Sequence, residues 1–306
     1  MTEIYPSADT RIPLGDSGIS VAPLGWGMWR FSGADRRDAE RRIAAALEIG
    51  CTLFDTADIY GFGGPGGFGA AEALLGEVLA VNPGLRARMV LATKAGIRPP
   101  LPYDSGAAHL IAACEASLRR LGVESIDLFQ IHRPDLLAHP AEVAGALAQL
   151  RTAGKIRAAG VSNHSAAQVE ALRAHLPFEL ASVQPEFSPL CIGPLSDGVL
   201  DQALQRRLAV LAWSPLGQGR LGSDAQPGDA RAAAVAGALD AIAAAAGVTR
   251  AAVAYAWIMR HPARPIPLIG SQNPQRIREA AAAYSLRLGR EDWYRILVAA
   301  RGAPMP

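Results

Sequence analysis

Lysine is nearly missing from this chain. Of its 30 basic side chains only Lys94 and Lys155 are lysines, and the rest are arginines. A chain that uses arginine almost everywhere keeps lysine where a compact, flexible ammonium is needed, which makes the two positions candidates for a chemical role. Cysteine is scarce as well. Cys51, Cys114 and Cys191 lie far apart and without CxxC spacing, which argues against a disulfide framework or a zinc knuckle and for a reducing compartment. Neither sign of charge prevails: the formal net charge is +2 over 306 residues, so nothing favours nucleic acid or an anionic membrane as a partner. No apolar run is long enough to span a bilayer, and the start, MTEIYPSADTRIPLG, has acids and prolines but no apolar signal core. A cytoplasmic location without membrane or nucleic-acid partners is expected. No linker or low-complexity stretch divides the chain, so residues 1–306 read as a single domain, 50% hydrophobic and with ample core.

What the chain does have is alternation. Residues 10–20 read as a hairpin around Gly15 and Gly18, ahead of the main fold. Strands are expected near 22–27, 52–55, 89–93, 126–131, 156–161, 181–185, 209–213 and 266–269. Helices are expected near 35–49, 70–80, 106–120, 141–152, 165–174, 197–206, 231–260 with a break at Gly247, and 274–283, with an extra C-terminal helix over 290–300. The strand runs (MVLAT, IDLFQI, LAVLAW) are short and apolar on both faces, as buried parallel strands should be. Eight strand–helix units predict an α/β protein, a (β/α)8 TIM barrel; a doubly wound sheet is the alternative, and the even spacing favours closure.

Active sites of such barrels lie at the C-terminal ends of the strands. The second strand, in CTLFDTADIY, ends in Asp55, Thr56, Asp58 and Tyr60. The first offers Trp26, Met28 and Trp29, the third Lys94, the fourth His132, the fifth Ser162 and Asn163, the sixth Gln184 and Glu186. The seventh offers Trp213 and Ser214, the eighth Ser271 and Arg276. Each has an ordinary reading, such as a cap, a satisfied core histidine or packing; their joint placement at the mouths of one barrel is what points to a site. Asp, Tyr, Lys and His make a poor metal site. They suit a phenol used as a proton donor. A free phenol has a pKa of about 10, an adjacent ammonium lowers it, a carboxylate holds the ammonium, and an imidazole can orient a carbonyl oxygen.

The DTADIYG segment with Asp55 and Tyr60, Lys94 after the third strand and His132 in LFQIHRPD resemble the aldo-keto reductases. So do GWGMW, GVSN, Gln184, WSPLG and IGSQNPQRI, so the likeness covers nearly the whole chain. The resemblance implies an NADP(H)-dependent oxidoreductase that reduces aldehydes or ketones, with Tyr60 as general acid, Asp55 and Lys94 as its tuning pair and His132 as the orienting group. It implies an extended cofactor without a Rossmann domain. Ser162, Asn163 and Gln184 would meet the carboxamide and Trp213 would stack on the nicotinamide; Ser214, Pro215, Leu216, Gly219 and Arg220 would follow the pyrophosphate. Ser271, Gln272, Arg276 and Glu279 would meet the adenosine, and Gly27, Met28 and Asp55 would complete the contacts. Gly270 departs from the pattern, standing where several members carry a lysine for the 2′-phosphate, so a moderate preference for NADP over NAD is expected. Trp26, Trp29 and Phe62, with Phe68 and Phe187, are available for an apolar pocket for a small carbonyl substrate. Only RGAPMP follows the last helix, so an open pocket and broad aldehyde tolerance are expected.

Gly61, Gly63 and Gly66 spell GxGxxG, the dinucleotide fingerprint, but Pro65 interrupts them and they belong to a longer glycine-rich run, so the stretch reads as a mobile loop beside Tyr60. Two other functions remain: a nicotinamide-sensing regulatory subunit with little turnover, since the family's fold also serves as a channel accessory protein, and a metal-dependent hydrolase using Asp55, His132 and Glu186.

Overall fold

The computed structural model describes residues 5–226 and 228–306; the first four residues of the N-terminal stretch, read above as lacking a signal core, lie outside them. Eight parallel strands close into a barrel in the order β10-β3-β4-β5-β6-β7-β8-β9. These are β3 (Gly25–Gly27), β4 (Leu53–Asp55), β5 (Val90–Ala95), β6 (Ile126–Ile131), β7 (Ile156–Ser162), β8 (Ser182–Gln184), β9 (Ala209–Ala212) and β10 (Ile266–Ile269). Each falls on an apolar run expected to be a strand. A short antiparallel hairpin, β1 (Ile12–Pro13) with β2 (Ser20–Val21), precedes them. Its Ile12, Leu14, Ile19 and Val21 pack with Leu53, Ala181, Ala209 and Ile266, all at or beside strand starts, so the hairpin plugs the N-terminal end of the barrel. The opposite end is left for a site. Gly15 makes the hairpin possible: its φ is +54°, and a Cβ there would stand 2.9 Å from Ala181 Cα.

The helices surround this barrel: α1 (Arg36–Glu48), α2 (Ala70–Val81), α3 (Ala107–Leu121), α4 (Pro140–Thr152), α5 (Ala166–Arg173), α6 (Val199–Arg206), α7 (Ala230–Ala246), α8 (Arg250–Met259) and α9 (Pro274–Glu279). A tenth, α10 (Arg290–Arg301), packs against α7. Several start on a side-chain cap that takes up free backbone N–H groups: Asp35, Ser165 with Gln168 as a capping box, Asp229, Thr249 and Asn273. The expected break at Gly247 is there. Gly247 adopts φ +66°, Thr249 caps a new helix, and the two pieces meet at 100°. Among the described residues no single helix is long and apolar enough to cross a membrane. The expected helix 274–283 is a correction: the α-helix ends at Glu279 and Ala280–Tyr284 tighten into a 3-10 turn that buries Ala280, Ala283 and Tyr284.

Register sets the interior. Lys94 on β5 stands beside Gln130 on β6, Gln130 beside Gly160 on β7, and Gly160 beside Ser182 on β8. Registered neighbours in a closed sheet share a face, so this polar row crosses the barrel's inside. Gly160 has no side chain because there is no room: a Cβ would lie 2.1 Å from Ser182 Oγ.

Candidate active site

Asp55 ends β4 as a fully buried carboxylate, and three groups from three other strands converge on it. Lys94 Nζ donates to its Oδ2 at 2.6 Å, while Gln130 Nε2 and Gln184 Nε2 donate to Oδ1 at 3.2 and 3.0 Å. Lys94 is itself fully buried. Its other two donations go to Thr56 O at 2.9 Å and Tyr60 Oη at 3.1 Å. Its three N–H bonds are therefore all used, and the ammonium joins carboxylate to phenol. Burial works against its charge, but Asp55 and Tyr60 outweigh burial and raise its pKa.

Tyr60 reaches this ammonium because the chain turns directly after β4. Its N–H bonds Ala57 O, and its carbonyl accepts from Ala71 N at the start of α2. Its ring is wedged between Trp29 at 5.0 Å and His132 at 5.9 Å, both edge-on. The sequence predicted a lowered phenol pKa. The structure has it raised: burial dominates, and the charge of Lys94 offsets it only in part. His132 lies where β6 leaves the barrel, its N–H bonded to Ala95 O. Burial, then the charges of Lys94 and Arg133, hold its pKa well below the usual histidine value, which makes it a neutral imidazole. A phenol that keeps its proton beside a neutral imidazole and a fixed ammonium is an acid with its conjugate base already solvated.

One cavity of about 870 Å³ opens onto these groups, its wall running from Tyr60 and His132 past Trp213 to Arg276 and Glu279. Gly27, Trp29, Asp55, Ser162, Asn163, Gln184, Ser214, Pro215, Leu216, Gly219, Gly270, Ser271 and Gln272 line it too. Three non-glycine residues in this wall, Asn163, Ser214 and Gln218, hold left-handed backbone with φ of 61°, 49° and 60°. Such strain persists where surrounding structure enforces it, commonly at ligand clamps. Asn163 is enforced visibly: it donates to His132 O and Ser162 Oγ and accepts from Trp213 Nε1. Gln272 Oε1 is buried in the same wall without a hydrogen-bond partner. At the far end Arg276 pairs with Asp224, and both are exposed.

Six expected wall residues are elsewhere. Trp26 is enclosed in the core, edge-on to Phe31 and Phe54, with its Nε1 bonded to Ser271 O; it supports the wall from behind. Met28 is fully buried, since the bond from its N–H to Asp55 O leaves its side chain in the same apolar cluster. Phe62 is 57% exposed and outside the cavity, and Arg220 turns to Asp229 at 3.2 Å and Gly217 O. Phe187 is packed against Trp257, and Phe68 lies beside Arg120. The GxGxxG glycines form turns after β4 and do not line the cavity. Glu186 accepts from Gln218 and takes no part in the hydrogen bonds of Asp55.

Sequence reasoning missed Gln130, Arg133 and Arg42. Gln130 was visible as an amide in the apolar run IDLFQI; Arg133 and Arg42 sit among many other arginines and carry no such signal. Asp58 is one of the polar residues that end the second strand, yet its state is unexpected. Buried, with no well-formed hydrogen bond to either oxygen, its pKa is pushed well up by desolvation and by nearby Glu72.

Residues 23–299 match the model of the aldo/keto reductase family. The chain belongs to that family. It is 56% identical over 295 residues to a 6-dehydroglucose reductase of Novosphingobium aromaticivorans, covering 96% of each chain. It is 38% identical over 304 residues to a 6-dehydroglucose reductase of Agrobacterium fabrum, covering 95% of this chain and 98% of the other. Among solved structures it resembles a glycerol dehydrogenase of Gluconobacter oxydans, with a TM-score of 0.83, 28% identity and 98% of each chain covered. As a family member it is an oxidoreductase of the carbonyl-reducing type, and aldo/keto reductases typically use nicotinamide cofactors.

Proposed function

We propose that this aldo/keto reductase uses NADP(H) to reduce an aldehyde of the 6-dehydroglucose kind, with Tyr60 as the general acid. The observation that carries the reading is the buried chain Asp55–Lys94–Tyr60 at the floor of the cavity. The names of the two 6-dehydroglucose reductases support the substrate class.

The cavity wall suits an extended nicotinamide dinucleotide. Ser162, Asn163 and Gln184 stand beside Tyr60 for the carboxamide, the strained Ser214 and Gln218 follow, and Gln272 Oε1 awaits a donor. Arg276, at the start of α9, is the cation for a 2′-phosphate, favoured further by the helix N-terminus. When bound, the cofactor supplies a hydride to the carbonyl carbon. Tyr60 transfers its proton to the carbonyl oxygen as negative charge develops there. His132, neutral, orients that oxygen toward Tyr60. Lys94 stabilises the phenolate left behind, and Asp55 keeps Lys94 charged and in reach. Trp29 and the aromatic ring of Trp213 limit water around the reacting atoms.

The test is NADPH consumption by purified protein with 6-dehydroglucose and with Tyr60→Phe alongside. The variant should lose ~10²–10⁴-fold in kcat while NADPH affinity changes little. A Tyr60→Phe enzyme with the wild-type rate would remove Tyr60 from the chemistry. Tight NADPH binding with no turnover of any aldehyde would favour the cofactor-sensing alternative.

A further inference from the structure

We propose that Arg133 is the specificity residue of this site, and that it takes hydroxyl oxygens on the carbon chain of a polyhydroxylated aldehyde, away from the carbonyl that meets Tyr60 and His132. The inference deepens the aldehyde-reductase reading and rests on it.

Arg133 directly follows His132 and lines the cavity, half-buried. Its guanidinium carbon lies 5.6 Å from the centre of the Trp213 ring. Such a cation–π contact holds the group in place and leaves its hydrogen bonds free. The charge is close enough to the reacting groups to add to the depression of the His132 pKa and, with Lys94, to offset part of the rise that burial gives Tyr60. The part-buried Arg120, Arg86 and Arg250 are, by contrast, engaged with Glu72, Asp127 and Asp240. Arg133 has neither an ion pair nor a hydrogen bond to protein among the described residues. A guanidinium carries five donors in a planar fork, and those of Arg133, open to the cavity, are free for a ligand to take up.

The class of ligand follows from its neighbours. Trp26, Phe62 and Phe187 are out of the cavity, so of the aromatic residues expected around the substrate only Trp29 lines it. With Trp29 and Trp213, the lining includes Arg30, Ser32, Arg133 and Gln218, so aromatic plates share the cavity with several donors. An apolar aldehyde would displace water from the Arg133 fork without replacing its hydrogen bonds. An anionic group on Arg133 would cancel the positive charge felt at Tyr60 and oppose the phenolate that proton transfer creates. Neutral hydroxyls accept from the fork and leave its charge in place. A sugar aldehyde meets both demands, and its ring can lie against Trp29.

The experiment compares D-glyceraldehyde, propanal and succinic semialdehyde, which share a small aldehyde and differ in carrying hydroxyls, nothing or a carboxylate. Wild type should prefer D-glyceraldehyde. Arg133→Met, which keeps the stem and removes the fork, should lower the ratio of kcat/KM for D-glyceraldehyde over propanal about 10- to 100-fold, the worth of one or two charge-assisted hydrogen bonds. The loss should fall mainly on KM. Arg133→Lys should lie between, since it keeps the charge without the fork. Melting temperature and NADPH affinity of each variant establish that it is folded. Equal loss on D-glyceraldehyde and propanal would mean that Arg133 acts through Tyr60 and His132 and would overturn the proposal. So would a wild type that prefers succinic semialdehyde and loses that preference in Arg133→Met. A wild type reducing propanal as well as D-glyceraldehyde sinks this inference alone; one reducing no aldehyde sinks the reductase reading beneath it.

Discussion

The two ends of the cavity are built on opposite plans. At the Tyr60 end the ion pair behind the phenol is buried and held from several sides: Lys94 has three acceptors, and Asp55 accepts from Lys94, Gln130 and Gln184. At the Arg276 end the cation is exposed and its ion-pair partner, Asp224, is exposed too. Buried ions in a low dielectric interact strongly but tolerate no missing partner; exposed ions are screened and contribute little to stability. The inner end is therefore suited to chemistry, which needs fixed geometry, and the outer end to binding, where a partner can be exchanged for a ligand's phosphate.

The hardest way to break this contrast is Lys94→Met. It leaves Asp55 buried without its cation, so a loss of about 3–5 kcal/mol in stability is expected in chemical denaturation, together with loss of aldehyde reduction. Lys94→Arg should not restore activity, because a forked, longer guanidinium cannot reach Asp55, Thr56 and Tyr60 in the same space. Wild-type turnover in the arginine variant would show that only charge matters there. Arg276→Ala probes the other end. It should weaken NADPH roughly 10- to 100-fold, leave NADH nearly untouched and leave the melting temperature in place, as tryptophan fluorescence titration and thermal melts would show. Equal weakening of both cofactors would mean that Arg276 contacts a part they share.

The smallest effect sharpens the comparison from within the buried end. Asp58 lies three residues after Asp55 and has none of its partners. Its pKa is raised well above 3.8 on folding, by desolvation and then by Glu72. The folded state therefore holds its proton more tightly than the unfolded chain, so its contribution is fully present below about pH 4 and is lost as pH rises through the raised value. Asp58→Asn removes that loss. The variant should match wild type near pH 4 and exceed it by about 1 kcal/mol or more at neutral pH, the common cost of an unsatisfied buried group. Equal stability curves across pH would mean that Asp58 has a partner after all.

The barrel was legible because its signals are local. Apolar runs of strand length between helix-forming segments, and Gly247 between two helical stretches, act over a few residues each, and they gave the right elements in the right order. The strand ends carrying Asp55, Lys94 and His132 could be read for the same reason. The errors came where a side chain had two possible destinations. Trp26 and Phe187 are apolar, and nothing along the chain says whether such a residue lines a pocket or fills the core; packing against Phe31, Phe54 and Trp257 decided it. Arg220 and Arg133 differ in the same way, one turned to Asp229, the other left free beside Trp213.

By itself, then, the sequence determined the set of strands and helices, the family, and which residues stand at the strand mouths, since periodicity and spacing are properties of neighbours along the chain. Only the tertiary structure decided the electrostatics. That the phenol of Tyr60 is raised, that His132 is neutral, that Asp55 is satisfied and Asp58 is not, all depend on how much water each group has lost and which charges face it across the barrel. Those are sums over residues far apart in sequence, such as Gln184 bonding to Asp55, and no local pattern encodes them.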